Sequence, residues 1–213
     1  MQDGFIYELI NVIVSSLNYL NIVQLFKFVA KKLTPTNSSE DEIIANANIA
    51  IDIFIVLKWV FIIFLWLNDT TSPFWTLAVG YLIWSNLHTY FYHHLWKKDK
   101  NLGYKKTRRR FMNLIQALVF SNIAFAYLYS SVFYNNFSWG FYSGDKYLGS
   151  VIYSFLQSFF IGSNNIYPVN SNGGLVSMIQ VLVSFLFITV ILSTSIPTQK
   201  EKITKRKKDG IQK

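Results

Sequence analysis

Cysteine is absent from all 213 residues, which excludes a disulfide framework and any thiolate-held metal and leaves the redox compartment unread. Charge is scarce as well. Charged side chains make up 15% of the chain against 52% hydrophobic and 18% aromatic, a balance too apolar for a soluble domain of this length. Acids are the scarcer sign, 11 against 20 basic residues, for a net charge of +9. The opening Met1-Gln2-Asp3-Gly4 has no basic stretch and no small-residue cleavage site follows, so no cleaved signal peptide is expected. No internal repeat, phosphate loop, paired carboxylate or nucleophile–base pair stands at a useful spacing, so no enzymatic activity is expected.

What remains is a set of apolar runs about 20 residues long, the length a helix needs to cross a hydrocarbon core of about 30 Å. Four qualify: residues 43–67, 74–96, 111–134 and 174–196, the last ending at Pro197, which cannot continue a helix comfortably. The first two, separated by 68–73, read as a helical hairpin. Residues 5–33 are less uniform, interrupted by Asn11, Asn18, Asn21 and Gln24 and ending among Lys27, Lys31 and Lys32. They read as an amphipathic helix lying on the membrane, with a fifth span as the weaker option. In the polar linker 34–42, Ser39 and Glu42 have the spacing of a capping box for the first span. The expected architecture is an all-α integral membrane protein with four transmembrane helices, a re-entrant pore helix and loop, and an N-terminal amphipathic helix. Its parts are 1–42 (N-terminal helix and linker), 43–96 (hairpin), 97–110 (basic loop), 111–196 (pore module) and 197–213 (basic tail).

Orientation follows from the basic residues. The loop 97–110 carries Lys97, Lys98, Lys100, Lys105, Lys106, Arg108, Arg109 and Arg110 against Asp99 alone, and the tail from Lys200 is similarly basic. The positive-inside rule makes both cytoplasmic, and four spans then put both termini inside a multi-pass protein of the cell membrane. The basic charge attracts anionic lipid headgroups at about 1 kcal/mol per residue, and no nucleic-acid partner is needed to explain it.

Between the third and fourth spans lie an apolar run, 147–161, too short to cross, and a Gly/Ser/Asn/Pro segment, 162–174. A helix that enters without crossing must return by a loop, and non-helical backbone at membrane depth is tolerated only where protein buries it or water lines it. The stretch from Ser150 to Gln180 resembles the pore module of the tetrameric potassium-channel superfamily, in which a pore helix runs into a threonine-valine-glycine-tyrosine-glycine-aspartate filter. Ile161 and Gly162 match the valine-glycine pair, Ile166-Tyr167-Pro168-Val169 the segment after the filter, and Gly173 the start of the inner helix, without a gap. The resemblance covers about 111–196. It implies a homotetramer with an outer helix at 111–134, a pore helix at 148–160, a selectivity filter of Phe160, Ile161, Gly162, Ser163, Asn164 and Asn165, and an inner helix at 174–195.

Phe160 stands where that family has threonine, Ser163 where it has tyrosine, Asn164 for the second glycine and Asn165 for the aspartate. Freedom at positive φ is what turns successive carbonyls inward, and asparagine keeps part of glycine's freedom. An altered, weakly selective path for monovalent cations, K+ or Na+, is therefore expected, with no resident cofactor. Ser184, where the family often has a hinge glycine, Thr189 and Ser193 are the expected inner pore lining. A non-conducting scaffold or regulatory subunit of the same fold is the alternative. His88, His93 and His94 are too few for a di-iron enzyme and read as interfacial residues that sense pH or meet headgroups. Asp52 and Lys58, inside the first span, face different sides of a helix and are expected to have separate partners or to snorkel. Arg108, Arg109 and Arg110 are consecutive, unlike a voltage sensor's spaced arginines.

Overall fold

A computed structural model describes residues 4–35, 38–96 and 104–195. Among the described residues the chain is mostly helical. Helices α1 (Phe5–Leu17) and α2 (Ile22–Leu33) are followed by α3 (Glu40–Leu67), α4 (Pro73–Phe91), α5 (Tyr104–Tyr127), α6 (Lys146–Ser158) and α7 (Ser171–Ser195). Two-residue strands β1 (Phe137–Ser138) and β2 (Tyr167–Pro168) pair antiparallel, Phe137 opposite Pro168 and Ser138 opposite Tyr167.

Three helical stretches among the described residues are long and apolar enough to cross a membrane: Glu40–Leu67, Phe111–Val132 and Ser171–Ser193. The second expected span is not among them. It folds as α4 and a π-helical turn, Tyr92–Trp96, but Ser85, Asn86 and His88 are buried along it and dilute its apolar content. A fourth candidate is the pair Phe5–Leu20 and Ile22–Leu33 taken together, bent by 58°.

Local chemistry sets the ends of α3. Its capping box closes both ways, Glu42 N donating to Ser39 Oγ at 3.4 Å and Ser39 N to Glu42 Oε2 at 3.1 Å. Glu40, Asp41 and Glu42 put negative charge on the positive end of the helix. Pro73 opens α4 at a position where a missing N–H costs nothing. The Asn68–Ser72 turn between them holds Asp69 at φ 46°, a left-handed conformation that aspartate tolerates.

The N-terminal segment departs from the single surface helix expected. Asn21 breaks it by accepting from Val23 N at 3.0 Å, which caps α2, while its amide donates to Thr89 Oγ1 at 2.6 Å. Ser85 Oγ donates to Asn21 Oδ1 at 2.9 Å, so the break is buried against α4. From there the two helices diverge. In the turn after α1, Leu20 O accepts from Tyr81, and along α1 Val14 O lies 3.3 Å from His88 Nε2 and Asn11 Oδ1 accepts from Trp96 Nε1 at 2.8 Å. Along α2, Phe26 packs on Phe54 at 5.0 Å and Thr34 Oγ1 accepts from Asn46 at 3.1 Å. The break therefore meets the middle of α4, and both free ends return toward the end of the bundle where Arg109 meets Asp52.

The bundle core joins Ile62 and Leu65 of α3, Val79 and Ile83 of α4, Phe120 of α5 and Tyr153 of α6. Lipid is as apolar as these side chains, so close packing and buried hydrogen bonds hold such helices together more than transfer from water does. Two charged side chains of α3 have partners, one in the core and one at its exposed edge. Lys58, buried, donates to Asn86 Oδ1 at 2.8 Å and lies 4.5 Å over the Phe120 ring. Asp52 takes both carboxylate oxygens to Arg109 at 2.8 and 2.9 Å. The two charges thus have separate partners.

Candidate functional site

The site grows from the end of the bundle where α3 meets α4. Asp69 accepts from Ser131 Oγ at 2.7 Å and from Lys146 Nζ at 2.7 Å, and Tyr127 OH donates to Thr70 O. The hydrogen bond from Lys146, then that from Ser131, holds the Asp69 carboxyl below its ordinary range. Burial alone would lower the Lys146 amine, but the hydrogen bond and charge of Asp69 outweigh it and raise it. Helix α6 starts at this anchor, with Asp145 accepting from Leu148 N at 3.0 Å as its cap.

From Lys146 the 13 residues of α6 run about 20 Å into the bundle. Its far end meets Phe185, which lies about 20 Å along α7 from Ser171, at a ring separation of 6.5 Å from Phe160. Both measures put the tip well below the level of Asp69 without reaching the other end of α7. There the helix stops in a Schellman pattern, Ile161 N donating to Leu156 O at 2.9 Å and Phe160 N to Gln157 O at 3.1 Å. Phe160 occupies the left-handed position, φ 59°, that usually belongs to glycine.

The chain then climbs back without helix. Ser163 Oγ accepts from Asn165 N at 3.3 Å and Ile166 N at 3.1 Å, Ile166 is buried in the core, and β2 pairs with β1. The rim is tight. A Cβ on Gly140, itself at φ 47°, would meet Asn165 O at 2.5 Å, and one on Gly173 would meet Asn136 O at 2.5 Å. Asn170 accepts from Gly173 N and Asn136 Nδ2, each at 3.0 Å, and starts α7. Between these fixed ends, Ile161, Gly162 and Asn164 are exposed, and a Cβ on Gly162 would meet open space. Among the described residues, the carbonyls of Phe160, Ile161, Gly162, Ser163 and Asn164 accept no hydrogen bond.

Behind the loop, the three helices are locked by a buried polar network. Gln180, fully buried, donates to Ser154 O and Ser154 Oγ at 2.7 Å and to Asn122 Oδ1 at 3.4 Å, and accepts from Tyr129 OH at 2.7 Å. Asn122 donates to Ser158 Oγ at 3.2 Å, and Tyr153 OH lies 2.9 Å from Ser177 Oγ. Asn122 and Gln180 were the readable signal for this network, since an amide inside an apolar span needs an internal partner.

The structure keeps Phe160 to Asn165 together as one turn and loop, between helices that start at Lys146 and Ser171 and not at 148 and 174. Two expectations change. Neither Gly162 nor Asn164 has positive φ, because the left-handed residue is Phe160, demanded by the helix end. Ser184 is buried on the face of α7 that packs on the bundle, so it lines no open surface. The open face of α7 is Leu175, Met178, Leu182 and Phe185. Thr189 and Ser193 spend their hydroxyls on Phe185 O and Val190 O, each at 2.8 Å.

Of the three histidines, His88 does not meet headgroups. His88 is buried between the rings of Trp84 and Tyr92, at 5.3 and 5.9 Å, against α1. His93 packs on Tyr92 at 5.3 Å, and the His94 side chain lies outside the described residues, as do the basic residues 97–103 and the tail. Among the described residues no cluster of side chains could hold a metal ion. The chain matches no protein-family model, no curated protein and no solved structure. Among the described residues, the fold is that of an all-α membrane protein with three helices long and apolar enough to cross a membrane, or four if the bent pair counts as one.

Proposed function

We propose that this chain is a pore-forming subunit of a fourfold cation channel, passing K+ or Na+ with weak selectivity and needing no resident cofactor. One observation carries the reading: a non-helical, uncovered stretch of backbone, Phe160 to Asn164, about 20 Å below the anchored start of α6. Lipid cannot face such a segment, because each bare carbonyl in hydrocarbon costs several kcal/mol. Water and further copies of the chain satisfy it. The negative end of the α6 dipole points to the same place and favours a cation there. With the basic loop and tail on the cytoplasmic side, the Asp69 end faces outward, both termini lie inside, and the protein sits in the cell membrane with anionic lipid at its basic edge.

The backbone angles of Gly162 and Asn164 favour a second reading, a scaffold or regulatory subunit that assembles in the same way but passes no ions. Purified protein in planar bilayers under opposed potassium, sodium and chloride gradients separates the two. Cation currents that change or vanish in Gly162→Asp support the channel, since nothing in the chain itself crowds a side chain there. Silence from a well-folded tetramer across voltage and pH leaves the scaffold.

A further inference from the structure

The geometry points to Phe160 and Phe185 as a hydrophobic gate, an apolar ring at the inner end of the loop that closes the ion path by shedding water. The inference rests on the pore reading and adds a residue-level device to it. At the tip of α6, where an ion leaving the loop would pass, the chain places apolar bulk. Phe159, Phe160 and Ile161 are each more than half exposed, and so is Phe185 beside them on α7.

Phe160 is the informative member. It fills the left-handed position of the helix end, where a bulky side chain is strained and glycine is the ordinary choice. Within the chain the strain is met by only partial packing, because Phe160 stays 51% exposed beside Phe185. A strained residue with an exposed ring is better explained by what the ring meets in the assembly than by the fold of one chain. Repeated about a fourfold axis, the rings bring apolar surface to one level of the path, and narrow apolar constrictions block ions by dewetting without a plug. Thr189, the next hydroxyl along that face, donates back to Phe185 O and so offers the constriction little polarity.

The test uses the full chain, whose lack of cysteine makes single-cysteine variants clean. Phe160→Cys in bilayers treated with copper phenanthroline should yield covalent dimers, and Leu25→Cys, exposed on α2, should not. Phe160→Gly fits the helix end better than the natural residue, so misfolding does not cloud its result. It should raise the cation current at least about tenfold, while Phe160→Leu stays near wild type, because dewetting depends on apolar bulk. A conducting wild type that Phe160→Gly leaves unchanged, or a Phe160→Cys that does not cross-link while currents persist, overturns the gate and spares the pore. Folded protein that stays silent in every variant, cross-linked or not, removes the pore reading and the gate with it.

Discussion

Replacing Gln180 with leucine removes the polar hub that ties α5, α6 and α7 together, and the cost is calculable. Gln180 makes close hydrogen bonds to Ser154 O, Ser154 Oγ and Tyr129 OH, all at 2.7 Å, and a longer one to Asn122. Hydrogen bonds between membrane helices are worth about 0.6 kcal/mol on average and at most about 1.7. Three of them give roughly 2 kcal/mol. The released Tyr129 OH stays buried, and since an unsatisfied group costs about 1–3 kcal/mol, relaxation sets where the total falls between roughly 2 and 5. Tyr129→Phe, which deletes one bond, should cost about 1 kcal/mol, and the double variant should lose less than the sum. Reversible unfolding in bicelles against a denaturing detergent reads these differences. A Gln180→Leu variant within about 0.5 kcal/mol of wild type, or strictly additive losses, would refute the network as a source of stability.

Three further expectations follow from the geometry. Gly140→Ala puts a side chain at φ 47° and 2.5 Å from Asn165 O, so it should destabilise by at least about 1–2 kcal/mol in the same assay, whereas Gly144→Ala, with open space around it, should stay within about 0.5. Lys58→Met removes the buried charge but leaves Asn86 Oδ1 without its donor, so it should cost about 1–3 kcal/mol. Asn86→Leu strands that charge and should cost about 3–5 kcal/mol, and equal effects of the two substitutions would count against the Lys58–Asn86 bond. The Asp69–Lys146 contact contributes while Asp69 is ionised. That contribution is present above the ordinary carboxylate value, is lost as pH falls through the depressed one, and on the basic side persists until pH passes the raised value of Lys146. Thermal unfolding should show an acid limb that Asp69→Asn flattens, with an amplitude below about 1 kcal/mol for so exposed a pair.

The parts of this fold that depend on length, apolarity and local capping were readable in the residues. Ser39 and Glu42 announced the start of α3, and the short run after Lys146, too brief to cross, folds as α6. What depends on the surface a helix meets was not readable. Asn21 is one of several polar interruptions in its segment, and only Ser85 and Thr89 on α4 make it the break. Ser184 reads as a hydroxyl in an apolar span, and its helix face is fixed by packing that no single segment contains. Phe160 was noted as a departure from a threonine, yet its backbone conformation belongs to the end of α6, three residues from Gln157. The candidate site was thus legible as a place in the chain and not as a backbone geometry.

The bent pair α1–α2 reaches only the middle of α4, where Leu20 meets Tyr81, and comes back along the half of α3 that holds Asn46 and Phe54. A bilayer crossed by α3, α5 and α7 would therefore lose more area in one leaflet than in the other. A body of that shape is tapered, and a flat bilayer accommodates it only by splaying lipids around its narrower end. A curved sheet relieves that frustration, so the shape of such a bilayer, and not its thickness alone, would enter the stability of the fold.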